Sequence, residues 1–221
     1  MNDYSDSIGW PLKDPQWISK IVVQSLIYII PVVGWIALVG WMLAAVDNLR
    51  AGRNELPNAG FGFMGRGLTL FFVFLVYAVA IVVVFAILLV LGFVLLGVSN
   101  NNNIGILGLI GGLFLVLAYG ILIAAGIAFY FLLAPIVVAT ERGGFGGGVN
   151  LPQVLAMART NVSSTLFGGL FTLVGGLIGS LCSFITIAYG YAVMAGVVTV
   201  FERQLHAQPM MPPNQPAAPP A

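Results

Sequence analysis

Charge is what this sequence has least of. Its 221 residues include eight Lys or Arg, seven Asp or Glu and one His. Three runs, 21 to 46, 67 to 140 and 160 to 201, contain no Asp, Glu, Lys or Arg. A soluble fold must cover its outside with polar groups, whereas a bilayer core penalises charge and rewards apolar side chains. The scarcity therefore excludes an ordinary water-soluble domain and predicts a multi-pass membrane protein. With a net charge of +1 and no basic stripe to neutralise phosphates, nucleic acid is excluded as a partner.

Cysteine and histidine are as scarce. Cys182 is the only cysteine, so an internal disulfide is excluded and the thiol reads as a small buried hydrophobe. His206 is the only histidine, which excludes a His-based triad, a multi-histidine metal site and a haem-dense protein. Together with Met210 and Met211 it reads as part of a solvated tail. The glycines between Gly143 and Gly148 lack the Gly-Lys-Ser/Thr ending of a phosphate loop and read as a flexible hinge. Asn161-Val162-Ser163 matches a glycosylation acceptor but falls in a predicted cytoplasmic loop. No catalytic set, metal or cofactor is expected, and the chain does not read as an enzyme. Residues 1 to 17 lack the basic start of a cleavable signal and read as an interfacial segment, with Trp10 and Trp17 as anchors at headgroup level.

Apolar residues dominate what remains, at 60% of the chain. They form four stretches: Ile18 to Val46, Leu68 to Val98, Ile104 to Ala139 and Thr165 to Phe201. Lipid leaves no water to satisfy backbone groups, so each stretch must be helical. A helix rises about 1.5 Å per residue and the hydrocarbon core is roughly 30 Å thick, so about 20 residues suffice to cross. The second and third stretches are single long helices, the third kinked or closed at Pro135. The fourth is long enough for two crossings, with a break near Gly175 to Ser180 or just after it at Cys182-Ser183. The first contains Pro31 and Gly34 at its middle, which breaks it into one kinked crossing or a re-entrant hairpin. The predicted fold is an all-α integral membrane bundle of four full-length crossings plus this kinked or re-entrant first segment, about six helices over residues 18 to 205.

The positive-inside rule arbitrates. A re-entrant first segment and a twice-crossing fourth would place all eight basic residues on one side. Arg50, Arg53, Arg142 and Arg159 then anchor the cytoplasmic face, both termini are cytoplasmic, and the Asn-rich turn at 100 to 103 is outside. Residues 140 to 164 form a cytoplasmic loop in which Pro152 to Val162 is an amphipathic helix, with Val154, Leu155, Ala158 and Val162 on one side. A loose internal echo links Asp14-Pro15-Gln16-Trp17 and its broken stretch to Leu151-Pro152-Gln153-Val154 and its own. Residues 206 to 221 carry six prolines after Gln208 and are expected to be extended or disordered.

Asp47, Glu141 and Glu202 sit at segment ends beside Arg50, Arg142 and Arg203, and read as local interfacial pairs. Small residues at one-turn spacing, Gly108 with Gly112, Gly175 with Gly179, and Ala188, Ala192 and Gly196, are candidate helix-packing surfaces.

Pro11-Leu12-Lys13-Asp14-Pro15-Gln16-Trp17, then Ile30-Pro31-Val32-Val33-Gly34, then Arg50-Ala51-Gly52-Arg53-Asn54-Glu55-Leu56-Pro57 resemble the prokaryotic membrane family filed as domain of unknown function 4013. The resemblance spans roughly residues 8 to 205 and implies a multi-pass protein of a bacterial or archaeal cell membrane, with no activity attached. It departs at Asn58-Ala59-Gly60, where a Trp or an acidic residue is expected after Leu-Pro. The functional expectation is a non-catalytic scaffold or accessory subunit, partnered by membrane lipid and by a membrane protein or a second copy. The alternative is a transporter for a lipid or other apolar substrate.

Overall fold

The computed structural model describes residues 3–102, 105–181 and 186–207. Among them every regular element is helical. In chain order these are α1 (Asp6–Gly9), a 3-10 turn (Trp10–Lys13), α2 (Trp17–Tyr28), α3 (Val33–Arg50), α4 (Met64–Asn102), α5 (Gly105–Val149), α6 (Leu151–Thr160), α7 (Val162–Leu181) and α8 (Ile187–Ala207). Four of them, α3, α4, α5 and α7, are long and apolar enough to cross a membrane.

The first apolar stretch is two helices. Pro31 cannot donate to the preceding turn, and the chain reverses through Val32, whose positive φ of 64° is rare for a β-branched residue. The Val33 N–H donates to the Pro31 carbonyl at 2.7 Å, closing a three-residue turn. Gly34 makes the reversal possible, because a Cβ there would lie 2.8 Å from Tyr28 Cα. After α3 the chain doubles back, so that Trp41 Nε1 donates to the Pro57 carbonyl at 3.0 Å and the Gly60 N–H donates to Gln24 Oε1 at 3.0 Å.

Helices α3 and α8 form the centre. Leu38, Trp41, Met42 and Val46 from one, and Ala192, Val197, Val198 and Phe201 from the other, are fully or almost fully buried. Their C-terminal ends meet in reciprocal contacts: Arg50 Nε donates to Glu202 at 2.8 Å, and Arg203 Nη2 donates to the Leu49 carbonyl at 3.2 Å. The fourth apolar stretch does not break between Gly175 and Ser180, since α7 stays helical to Leu181. The other expected break, Cys182-Ser183, lies outside the described residues, as do the environment of Cys182 and the tail from Gln208.

Helices α4 and α5 form a long antiparallel hairpin. Phe74 meets Phe129 and Phe85 meets Tyr119, each pair with ring centroids 5.5 Å apart. Near the tip, backbones approach closely where Gly92 lies against Leu115 and the Gly111 carbonyl. With 39 residues, α4 is about 58 Å long. The 20 residues of α7 span about 30 Å, half as much. The tip of the hairpin at Asn103 lies outside the described residues.

Three expectations about local structure are corrected. Pro135 does not close α5, which runs on to the glycine run. That run is a packed reversal and not a flexible hinge. Gly144 adopts φ 61° and ψ −153°, a region open essentially to glycine alone, and the chain folds back so that Gly147 and Gly148 are buried. The Tyr77 hydroxyl then donates to the Gly148 carbonyl at 2.9 Å. Helix α6 forms with the Asn150 side chain accepting from the Gln153 N–H, and it buries Val154 and Ala158, but Val162 is not on its buried face. Asn161 breaks the helix, and Val162 opens α7 with 54% of its surface exposed.

The N-terminal segment is corrected as well. Trp10 is completely buried, with its indole donating to the Ala192 carbonyl at 2.9 Å, so it does not reach a headgroup layer. The segment is wedged along α8: the Tyr189 hydroxyl donates to the Ile8 carbonyl at 2.6 Å, and the Tyr4 hydroxyl to Gln204 at 3.1 Å. Trp17 is partly buried and packs edge-on to Tyr189.

Candidate functional site

Two features of the bundle collect what chemistry the sequence has. One is a charged clamp at the end where α3, α4, α5 and α8 converge. Asp47 pairs with Arg50, the arginine expected for it, but Glu141 and Glu202 do not pair with Arg142 and Arg203: the Arg50 guanidinium gathers all three carboxylates. Arg50 donates to Glu202 at 2.8 Å, to Asp47 at 3.4 Å and, in a very short contact, to Glu141. Arg66 adds a close contact to Asp47 and a bond of 3.2 Å to Glu141. Arg142 turns to His206 Nε2 at 3.4 Å, while His206 Nδ1 lies 2.8 Å from the Glu202 carbonyl, which places His206 in the last turn of α8 and not in a free tail. The Arg53 side chain donates to Asn48 Oδ1 at 2.7 Å and to no other described residue, and Arg159 is exposed on α6. Among the described residues no group of His, Cys, Asp and Glu is arranged to hold a metal ion.

A second polar node lies beneath the N-terminal segment and was not foreseen. Asp14 is 2% exposed and accepts from the Gln16 N–H at 2.7 Å, from Lys20 Nζ at 2.8 Å and from the Leu56 N–H at 2.8 Å. Lys20 also donates to the Leu56 carbonyl at 2.7 Å. Burial alone would raise the pKa of the carboxyl, but Lys20 and the two backbone N–H groups outweigh it and hold the value below the ordinary range. Its only sequence signal was Asp14-Pro15 beside the apolar stretch, since the partner at Leu56 is 42 residues away. Because this pKa is lower in the folded chain than in the unfolded one, the carboxylate stabilises the fold at pH above about 4 and loses that effect as pH falls through the folded value. Asp14→Asn is expected to destabilise the protein by about 2 kcal/mol at pH 7. In thermal melts the gap between variant and parent should close as pH falls through the lowered folded value of the Asp14 carboxyl.

The other feature is apolar. A cavity of about 480 Å³ lies between α4 and α8, whose backbones do not approach each other closely among the described residues. Phe74, Ala78 and Ile81 line it from α4, and Tyr191 and Met194 from α8. Gly126, Gly176, Gly179 and Gly190 also line it, and of these Gly126 faces open space, where an added Cβ would meet nothing within 4 Å. A second hollow of about 340 Å³ lies next to it, sharing Gly126, Tyr130 and Gly176 with the first.

The candidate packing residues divide between these surroundings. A Cβ on Gly108 would contact Ser99 inside the α4–α5 hairpin, whereas one on Gly112 would meet nothing within 4 Å. Gly175 faces Val193, and Gly179 faces Gly190, so both serve the α7–α8 contact. Ala188 and Ala192 are fully buried and face the N-terminal elements, through Ser25 and Trp10, and Gly196 is buried on the same helix. Pro31 and Gly34 form the α2–α3 reversal described above.

A family model described as "Protein of unknown function (DUF4013)" matches residues 23–190, about three quarters of the chain. The chain belongs to the DUF4013 family. The matched span runs from the middle of α2 to the start of α8 and includes the cavity glycines at 126, 176, 179 and 190, as well as Arg50, Arg66 and Glu141. It is narrower than the 8 to 205 suggested by the motifs, and Pro11 to Trp17 precede it. No curated protein and no solved structure matches this DUF4013 chain significantly.

Proposed function

We propose that this DUF4013 protein is a non-catalytic, membrane-embedded scaffold or accessory subunit. The observation that supports the reading is the α4–α5 hairpin. Its charge-free part from Leu68 to Val98 is 31 residues, or about 46 Å, against a hydrocarbon core of roughly 30 Å. Even a tilt of 40°, the upper end of what spanning helices adopt, accommodates only about 39 Å. Outer side chains on the paired helix α5 are bare, with Leu109 73% and Val116 70% exposed. Apolar surface beyond the lipid needs protein to cover it, and a membrane partner or a second copy meets that need.

In this reading the arginine-rich clamp, with Arg50, Arg53, Arg142 and Arg159 nearby, faces the cytoplasm, and α2–α3 enters and leaves the membrane from that side. The test is photocrosslinking in native membranes from a benzophenone side chain at Val116, with Leu166 on α7 as the comparison. One discrete protein adduct from Val116 and none from Leu166 supports the reading. Lipid adducts alone at both positions overturn it. A second reading, transport of an apolar substrate, is favoured by the two interrupted helix pairs α2–α3 and α7–α8. It requires flux of the substrate in reconstituted vesicles.

A further inference from the structure

We propose that the cavity between α4, α5, α7 and α8 is a binding site for a long-chain lipid, alkyl or isoprenyl, that ends in an uncharged oxygen-bearing group such as a hydroxyl, ester or carbonyl. This goes beyond the scaffold reading and does not depend on it. Ligand sites are typically hollows of about 300–1,000 Å³, mostly apolar, with a few placed polar groups. Here the hollow is about 480 Å³, and its polar groups are the phenols of Tyr130 and Tyr191. Neither hydroxyl has a hydrogen-bond partner among the described residues, although Tyr77 and Tyr189, elsewhere in the bundle, each bind a backbone carbonyl.

An unpaired hydroxyl in an apolar site is costly, and an occupant with a polar oxygen removes the cost. Water alone fits poorly, because a buried water needs two to four polar partners in its own small space and leaves the remaining volume apolar. The layout favours a chain over a compact molecule, since a second hollow of about 340 Å³ borders the same Gly126, Tyr130 and Gly176 and is lined further by Leu122, Ile123 and Leu173. The head must be neutral. No Asp, Glu, Lys, Arg or His lines either hollow, so a phosphate or ammonium would be buried without a counter-ion.

Glycine supplies a clean variant. A Cβ on Gly126 would meet nothing within 4 Å, so Gly126→Leu fills the space shared by the two hollows without striking the backbone. Full-length protein in mild detergent is labelled with a diazirine-bearing hexadecanol, with unlabelled hexadecanol as competitor and diazirine phosphatidylglycerol as the charged comparison. Saturable labelling of α5 and α7 peptides by the alcohol is expected, at least tenfold above the phospholipid. Gly126→Leu should abolish it at an unchanged melting temperature, and Tyr130→Phe with Tyr191→Phe should weaken it about fivefold or more. Should Gly126→Leu not fold, Ala78→Phe fills the cavity from the opposite wall. Labelling that is unsaturable, survives the filling variant or is matched by phosphatidylglycerol overturns the proposal.

Discussion

Replacing Arg50 by alanine is expected to lower the stability of the detergent-solubilised protein by about 2–3 kcal/mol, read as a fall in the thermal midpoint. One guanidinium holds Asp47, Glu141 and Glu202 together, and these come from α3, α5 and α8. Exposed ion pairs contribute little because water screens them. This cluster differs in two ways. The Arg50 side chain is 31% exposed, and Glu141 and Glu202 only 16% and 20%, so screening is incomplete. Removing the centre also leaves Asp47 and Glu141 sharing Arg66 and takes the guanidinium away from Glu202, so the like charges gathered there repel. Arg50→Lys should recover less than half of the loss, since an ammonium cannot present a planar fork to three partners. Arg53→Ala is the control. Its side chain donates to Asn48 at the surface, and its loss should stay within about 0.5 kcal/mol. Equal effects from Arg50 and Arg53 would mean that the cluster is surface decoration and does not clamp the helices.

The clamp also shows where sequence reading succeeds and where it stops. Helix positions follow from absence of charge, because lipid permits few alternatives to a helix over an apolar run of that length. Pro31 and Gly34 mark a reversal because one lacks a donor and the other lacks a Cβ. The acidic residues are visible at segment ends, and so is the local pair of Asp47 with Arg50, but the partners of Glu141 and Glu202 are not. Glu141 and Glu202 each have an arginine as the next residue, and each binds Arg50 from another helix. Pairing at that range depends on which helices are neighbours, and uniform apolar stretches carry no pattern that ranks neighbours. The cavity was hidden for the same reason. Gly126, Gly176 and Gly190 are ordinary small residues in a line of letters, and only the meeting of α5, α7 and α8 shows that Gly126 borders open space while Gly190 lies against the Gly175 backbone. Gly175 and Gly179 were read as packing residues from spacing alone, and spacing cannot distinguish a glycine that lets backbones touch from one that leaves a hole.

Trp10→Ala is expected to be the most damaging single substitution in the N-terminal segment, costing about 3 kcal/mol or more. A tryptophan anchored at headgroup level would give a different result, since truncating an exposed ring removes little packing and leaves the fold nearly unchanged. Here the ring has no exposed surface and sits against α8, where the Ala192 carbonyl accepts its indole N–H. Part of the usual cost of truncation is lost transfer from water, and that part shrinks where lipid surrounds the bundle. The cavity part does not, because an indole-sized void inside a close-packed core has no atoms to replace the lost contacts. Trp10→Phe separates the terms: it keeps most of the volume and loses the hydrogen bond, so it should cost about 1–1.5 kcal/mol. The readout is thermal melting together with proteolysis near residue 13, since loosening the wedge exposes the link into α2. A Trp10→Ala protein that melts with the parent and resists protease equally would return Trp10 to the surface and the N-terminal segment to a merely peripheral place.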